Sequence, residues 1–180
     1  VDNTRMDSLL LVVCGHGKAE RTPVLQASIE HLVNSVSQNP SFRFRCLLYV
    51  HELTIFQNTV EHFPMCKVVL NKGKLWVSHM LQVGVVREDY VALLMDDIDI
   101  RGTNVFRMVN ELKRVNFDVI SSAIPGWHYK ALLPRPECQS HRVAFVDMLF
   151  AVMTRNAWNC WQSQLDLSIN HFGWGYDATF

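Results

Sequence analysis

Asp96, Asp97 and Asp99 follow directly on an unbroken apolar run from Tyr90 to Met95. Such a run reads as a strand buried on both faces, which puts the carboxylates at its carboxyl end. In extended chain, residues two apart point the same way, so Asp97 and Asp99 aim two carboxylates at one point while Ile98 turns back to the core. Two hard oxygen ligands suit Mg2+ or Mn2+ bound together with phosphate oxygens. Left unpaired beside a buried strand, like charges repel and raise a pKa; a divalent cation removes the conflict. The plainer alternative is that these carboxylates cap the following turn and face water. Position after a buried strand favours the metal.

Further strands end in polar tips. Residues 9–14 form a continuously apolar, partly β-branched run that stops at Gly15-His16-Gly17. The second strand, Phe42 to Val50, ends at His51-Glu52, and the third, Lys67 to Leu70, at Asn71-Lys72-Gly73. Ligands of open α/β sheets sit beyond the carboxyl ends of the strands, so Cys14, Gly15, His16, Asn71, Gly73 and Lys74 are candidate substrate contacts alongside Asp96 and Asp97. The Asn71–Gly73 turn precedes a helix, whose free N–H groups can meet a phosphate or a sugar hydroxyl; the alternative is a plain left-handed turn with solvated lysines. A lone histidine such as His16 is more often a surface or hydrogen-bonded residue than a ligand.

Helices separate these strands. Thr22 and Pro23 read as N-cap and N1 of a helix that runs to Asn39-Pro40, with Val24, Leu25, Ile29, Leu32, Val33 and Val36 at helical spacing. Shorter helices are expected over residues 54–63 and from Lys74 to about Gly84. Thr103 caps a fourth that carries Val105, Phe106, Val109 and Leu112, and residues 117–124 form another strand. Alternating strands and helices call for a Rossmann-like, mainly parallel sheet with helices on both faces, a three-layer α/β/α architecture. Residues 125–142 hold three of the six prolines and little periodicity, a long irregular excursion of the kind that is often functional. Trp158 and Trp161 share a helical apolar face and read as core, as do Met148 and Met153.

The chain has 180 residues, room for one domain of ordinary size. Seventeen basic residues balance seventeen acidic ones, so there is no global positive field for a polyanion or an anionic membrane, and nucleic acid is not expected as a partner. Hydrophobic residues at 49% and charged residues at 19% can bury a core. No apolar stretch approaches the roughly 20 residues of a membrane span. Five cysteines without zinc-ligand spacing read as reduced and structural. The chain as given reads as cytoplasmic; a secretory-pathway catalytic domain with a trimmed anchor is the alternative.

The Asn71–Gly73 turn, the strand from Tyr90 to Met95 and the Asp97–Asp99 pair together resemble the nucleotide-sugar-binding half of GT-A-fold glycosyltransferases. The segment from Phe145 to Cys160, with Thr154-Arg155-Asn156-Ala157-Trp158, followed by Trp174-Gly175-Tyr176-Asp177, is similar to a plant and bacterial family of glycosyltransferase-like proteins whose pattern is a hydrophobic strand, S/T-R-x-A-W, then W-G-x-D. The likeness implies one catalytic domain over residues 1–180, with a nucleotide-binding half at about 9–100 and an acceptor half at about 101–180. It implies that Asp99 ligates Mn2+ or Mg2+, with Asp97 near the ion or the ribose, that the donor is a nucleotide-sugar, UDP-sugar favoured, and that the acceptor is a carbohydrate or other hydroxyl. Asp177 would be the base that deprotonates the acceptor, and Asp147 an acidic position in the acceptor-side strand. Asp96 is the alternative leading member of the motif. Trp174 and Trp127 are candidate sugar platforms, since aromatic faces stack on sugar C–H surfaces.

Two rival functions fit parts of the pattern. A Mg2+-dependent phosphohydrolase also places two carboxylates at a strand end, but its nucleophilic Asp usually follows the first strand, where this chain has Cys14-Gly15-His16. A sugar- or nucleotide-binding module without turnover is the second.

Overall fold

The computed structural model describes residues 6–72, 76–126, 130–138, 140–143 and 146–168. Six strands, β1 (Asp7–His16), β2 (Phe42–Val50), β3 (Lys67–Leu70), β4 (Tyr90–Met95), β5 (Val119–Ser121) and β6 (Phe150–Thr154), form one sheet in the order β3-β2-β1-β4-β6-β5. β1 pairs in parallel with both β2 and β4, and β2 with β3. β6 runs antiparallel to β4 and β5. The chain forms the expected mainly parallel α/β sheet, with β6 as an antiparallel member that makes it mixed.

Alternation along the strands fills both faces. Leu9, Leu11 and Val13 of β1 pack towards α1 (Thr22–Ser37), α2 (Leu53–His62) and α4 (Val105–Val115). Leu10, Val12 and Cys14 point the other way, into a core shared with α3 (Trp76–Val83) and α5 (Arg155–Gln162). Trp158 is fully buried there, with its indole N–H donated to the Gly84 carbonyl at 2.9 Å, and Trp161, Met148 and Met153 are buried beside it. These four are core residues, as their spacing indicates.

Several boundaries shift for physical reasons. Thr22 is the first residue of α1 rather than its cap, with Pro23 one position on; its hydroxyl is used elsewhere, as described below. Asn104 caps α4, accepting the Arg107 N–H at 3.0 Å, while Thr103 hydrogen-bonds across to Ser122. β5 is three residues long, not eight, because it is the sheet's edge and pairs only with β6. Asp147 lies in the turn ahead of β6, not within the strand, and its carboxylate accepts the Leu149 N–H at 3.3 Å.

The cysteines are not all reduced. Cys46 on β2 and Cys66 just before β3 form a disulfide, with Cα atoms 4.5 Å apart. The crossover through α2 returns the chain to the neighbouring strand, a proximity that a separation of 20 residues does not reveal. Closing a loop of that length stabilises a fold by about 3 kcal/mol in the chain-entropy account. Cys14, Cys138 and Cys160 are unpaired, and the last two are exposed.

The two rims of the sheet differ. At the amino end of β4, Asp89 accepts hydrogen bonds from the Ser8 backbone and hydroxyl at 3.0 and 2.7 Å and from Arg155 at 2.8 Å. Glu88 beside it pairs with Arg45, and its carbonyl accepts from Arg155. That rim is closed by ion pairs. The opposite rim, at the carboxyl ends of β1 to β4, carries glycines and the acidic tip. Because β6 is antiparallel, its start also lies at this rim: Met95 N–H donates to Leu149, so Asp147 is brought to the acidic tip's end of the sheet.

Candidate functional site

β1 does not stop cleanly at the rim. Its register against β2 shifts between Val13 and His16, and Gly15 sits at φ 75°, a conformation that suits glycine. The irregularity re-aims the strand end, and His16 enters the interior, fully buried. Its Nδ1 lies 3.1 Å from Asp96 Oδ2 and its Nε2 lies 3.2 Å from the Thr22 hydroxyl. A carboxylate only accepts, which turns an Nδ1–H towards Asp96, and the Thr22 hydroxyl completes the ring's second hydrogen bond at Nε2. The ring edge also meets Phe63 at 6.5 Å between centroids.

Asp96 is itself buried, and its second oxygen accepts from Arg21 Nη1 at 2.7 Å. Arg21 comes from a single 3-10 turn, Ala19–Arg21, that leads into α1. Its Nη2 lies 3.2 Å from Asp97. The hydrogen bond to Asp96, reinforced by the charges of Asp96 and Asp97, holds the guanidinium's pKa above its ordinary value. Cys14 faces away from the rim into the core, its Sγ 3.8 Å from Met80 Sδ. Burial, followed by the charge of Asp96, pushes its thiol pKa up, so the backbone is what Cys14 offers at the rim.

The acidic tip is a turn rather than an extended segment, with Ile98 N–H donating to Met95 at 3.3 Å. The turn is set by burial: Ile98 packs on the core and Ile100 is buried, and Ser28 bridges them by donating to the Ile98 carbonyl and accepting the Ile100 N–H. Asp97 and Asp99 are therefore held by different partners, Asp97 by Arg21 and Asp99 by Arg101. Asp99 takes both the Arg101 backbone N–H at 3.0 Å and its guanidinium, the turn-capping arrangement of the plainer alternative. The side chains of Asp97 and Asp99 are 47% and 44% exposed, open to a ligand.

Arg101 holds the Asp99 carboxyl at about 2, through its guanidinium first and its backbone N–H second. A depressed folded pKa means that the pairing contributes fully above the ordinary value of 3.8 and is lost as pH falls through about 2. In Arg101→Gln, the Asp99 carboxyl is expected to titrate upward towards 3.8, held below it by the backbone N–H of residue 101 that the substitution keeps, read by carboxyl 13C NMR.

A divalent cation suits these donors in part. Magnesium is commonly held by one or two carboxylates plus substrate phosphates, and Asp97 and Asp99 supply two hard oxygen donors. Among the described residues no group of three or more His, Cys, Asp and Glu side chains is placed to hold a metal, so phosphate oxygens or other residues would complete the shell. The ion pairs of the tip set three carboxylates against two guanidiniums, a net negative charge that a diphosphate would increase and a dication would offset.

Beside this cluster an aromatic column climbs the rim. Tyr49 stacks on His79 of α3 at 5.5 Å and 4°, and His79 on His51 at 6.3 Å and 18°. The His51 ring occupies the space that a side chain at Gly17 would need. Nδ1 of His51 is buried without a hydrogen-bond partner among the described residues. Asn71 ends β3 at the same rim, its N–H on Val50 at 2.8 Å and its amide on Ser78 at 3.3 Å. At the carboxyl end of β5, a cavity of about 590 Å3 is lined by polar residues including Thr103, Asn104, Arg107, Glu111 and Ser122.

No protein-family model matches the chain, and no curated protein sequence does. Solved structures do. The chain resembles 4-diphosphocytidyl-2C-methyl-D-erythritol synthase from Anaerococcus prevotii at a TM-score of 0.54 and 7% identity, over 88% of this chain and 76% of that one. It resembles the bifunctional IspDF of Campylobacter jejuni at 0.57 and 8%, and residues 1–349 of S. aureus TarS at 0.50 and 13%. It covers 44% and 47% of those two chains, less than half of each, against 89% and 83% of its own length. At such identities the likeness is one of fold.

The sequence-predicted residues divide accordingly. Gly15, His16, Asn71, Asp96, Asp97, Asp99 and Asp147 lie at one rim. Gly73, Lys74, Trp127, Trp174 and Asp177 lie outside the described residues. Arg21, Thr22, Tyr49 and His79 were not legible as site residues. The one available signal was the Gly15-His16-Gly17 turn with Lys18 and Arg21 close behind it.

Proposed function

We propose that the chain is a metal-dependent glycosyltransferase that moves a sugar from a nucleotide diphosphate, UDP favoured, to a hydroxyl acceptor with inversion at the anomeric carbon. The observation that carries this reading is the tip of β4, where half-exposed Asp97 and Asp99 stand beside the Gly15–Gly17 turn of the adjacent strand. The fold shared with a synthase whose named product is a diphosphocytidyl compound agrees with a nucleotide diphosphate at this rim. In this reading Asp97 and Asp99 would hold Mn2+ or Mg2+, which would supply positive charge against the leaving diphosphate. The Gly15–His16 turn and Asn71 border the nucleotide, with the buried Tyr49–His79–His51 column packed behind the rim. The cavity beside β5 offers hydroxyl and charged groups to an acceptor, Asp147 lies at the same rim, and Asp177 takes the acceptor's proton. Trp127 and Trp174 are candidate sugar platforms by residue type, since aromatic faces stack on sugar C–H surfaces.

Calorimetry with a panel of nucleotide-sugars, with and without Mn2+, tests the assignment. Donor binding that depends on the ion is expected, followed by transfer to an acceptor. Asp99→Asn should abolish the ion-dependent part, and unchanged nucleotide affinity in that variant would sink the metal assignment. Binding without consumption would identify a non-catalytic module, and hydrolysis of simple phosphate esters without acceptor a phosphohydrolase. The phosphohydrolase is disfavoured because the tip of β1 carries no carboxylate.

A further inference from the structure

Arg21 has no part in the scheme above, yet the most buried polar cluster of the rim converges on it. Asp96 has both oxygens engaged, one by His16 and one by Arg21, and is 3% exposed. Buried and engaged at both oxygens, it is turned inward, away from the half-exposed Asp97 and Asp99 carboxylates. His16 is in turn fixed by Thr22 and packed on Phe63. Burying a carboxylate and an imidazole together is costly unless the geometry satisfies both. Here the satisfied pair leaves one group projecting, the Arg21 guanidinium, whose side chain is 33% exposed and reaches Asp97 with its other arm.

A guanidinium presents five N–H groups in a rigid fork, more than Asp96 and Asp97 occupy, and that fork matches phosphate oxygens. If a cation takes the Asp97 carboxylate, the Nη2 arm is released while Nη1 stays on Asp96. The freed arm would then be open to a phosphate oxygen.

We propose that Arg21, anchored on the buried Asp96–His16 pair, is the protein's own contact to the donor diphosphate. The inference rests on the donor-site reading and names a residue of that site. Asp96 and His16 are positioning residues in it.

The test measures binding of UDP, CDP, GDP, ADP and dTDP with Mn2+ by calorimetry, then compares the tightest diphosphate with its nucleoside, read by displacement. In Arg21→Gln, diphosphate affinity is expected to fall about 10- to 100-fold, the range of a lost charge-assisted hydrogen bond, with nucleoside affinity unchanged. Arg21→Lys should recover part of the loss, since it keeps the charge without the fork. Asp96→Asn, which removes the anchor's charge and keeps its shape, should show the same diphosphate-selective loss. Equal diphosphate affinity in wild type and Arg21→Gln overturns the inference and leaves the donor site standing. An equal loss for nucleoside and diphosphate overturns it too, because a merely structural role moves both. If no diphosphate binds the wild type, the donor-site reading and the inference fall together.

Discussion

Asp177→Asn is expected to lower kcat by about 10²- to 10⁴-fold, the range of a lost general base, with nucleotide-sugar affinity unchanged. The reason is a division of labour. In the proposed reaction the donor is gripped at the β1–β4 rim, while the proton to be removed belongs to the acceptor hydroxyl. An amide at position 177 cannot accept that proton at neutral pH but occupies the same volume. Steady-state kinetics with saturating donor, paired with calorimetry, separate the two effects. Wild-type kcat in this variant, or a donor affinity that falls in step with kcat, would remove Asp177 from the base role.

Asp96→Ala should destabilise the fold by about 3–5 kcal/mol, the range for removing one partner of a buried ion pair, towards the lower end because Arg21 is 33% exposed. The loss has two parts. His16, fully buried, keeps an N–H with no acceptor, and Arg21 loses the nearer of its two carboxylates. Urea unfolding with a common m-value reads the difference. A shift below about 1 kcal/mol, the median worth of a surface ion pair, would mean that Asp96 is solvated and not an anchor. Asp96→Asn retains a side-chain oxygen for His16 and is expected to fall between Ala and wild type.

The sheet was legible because its strands are buried on both faces. Residues 9–14 and Tyr90 to Met95 are too uniformly apolar and too short for a surface helix, and the rim where polar residues gather follows from parallel pairing alone. Edge elements were less legible. β5 has one neighbour, so tertiary pairing rather than composition set its three residues. The disulfide between Cys46 and Cys66 depends on how α2 returns the chain, and widely spaced cysteines carry no sign of that. Within the site, the Asp97–Asp99 pattern was read as extended chain, but Ile98 and Ile100 both seek the core and fold it into a turn. Arg21 was missed because an arginine at a helix start is ordinary in sequence. Only the burial of His16 and Asp96, 80 residues apart, gives it a purpose.

The rim opposite the site has its own consequence for motion. Asp89 fastens the starts of β1 and β4 to the end of β6 through Ser8 and Arg155. Local opening begins where buried contacts and hydrogen bonds are fewest. Backbone amides of β4 and β6, buried strands held by this clamp, should therefore be among the slowest to exchange with deuterium. A sheet clamped at its foot keeps β1, β4 and β6 in fixed register there, so the strands cannot shear past one another.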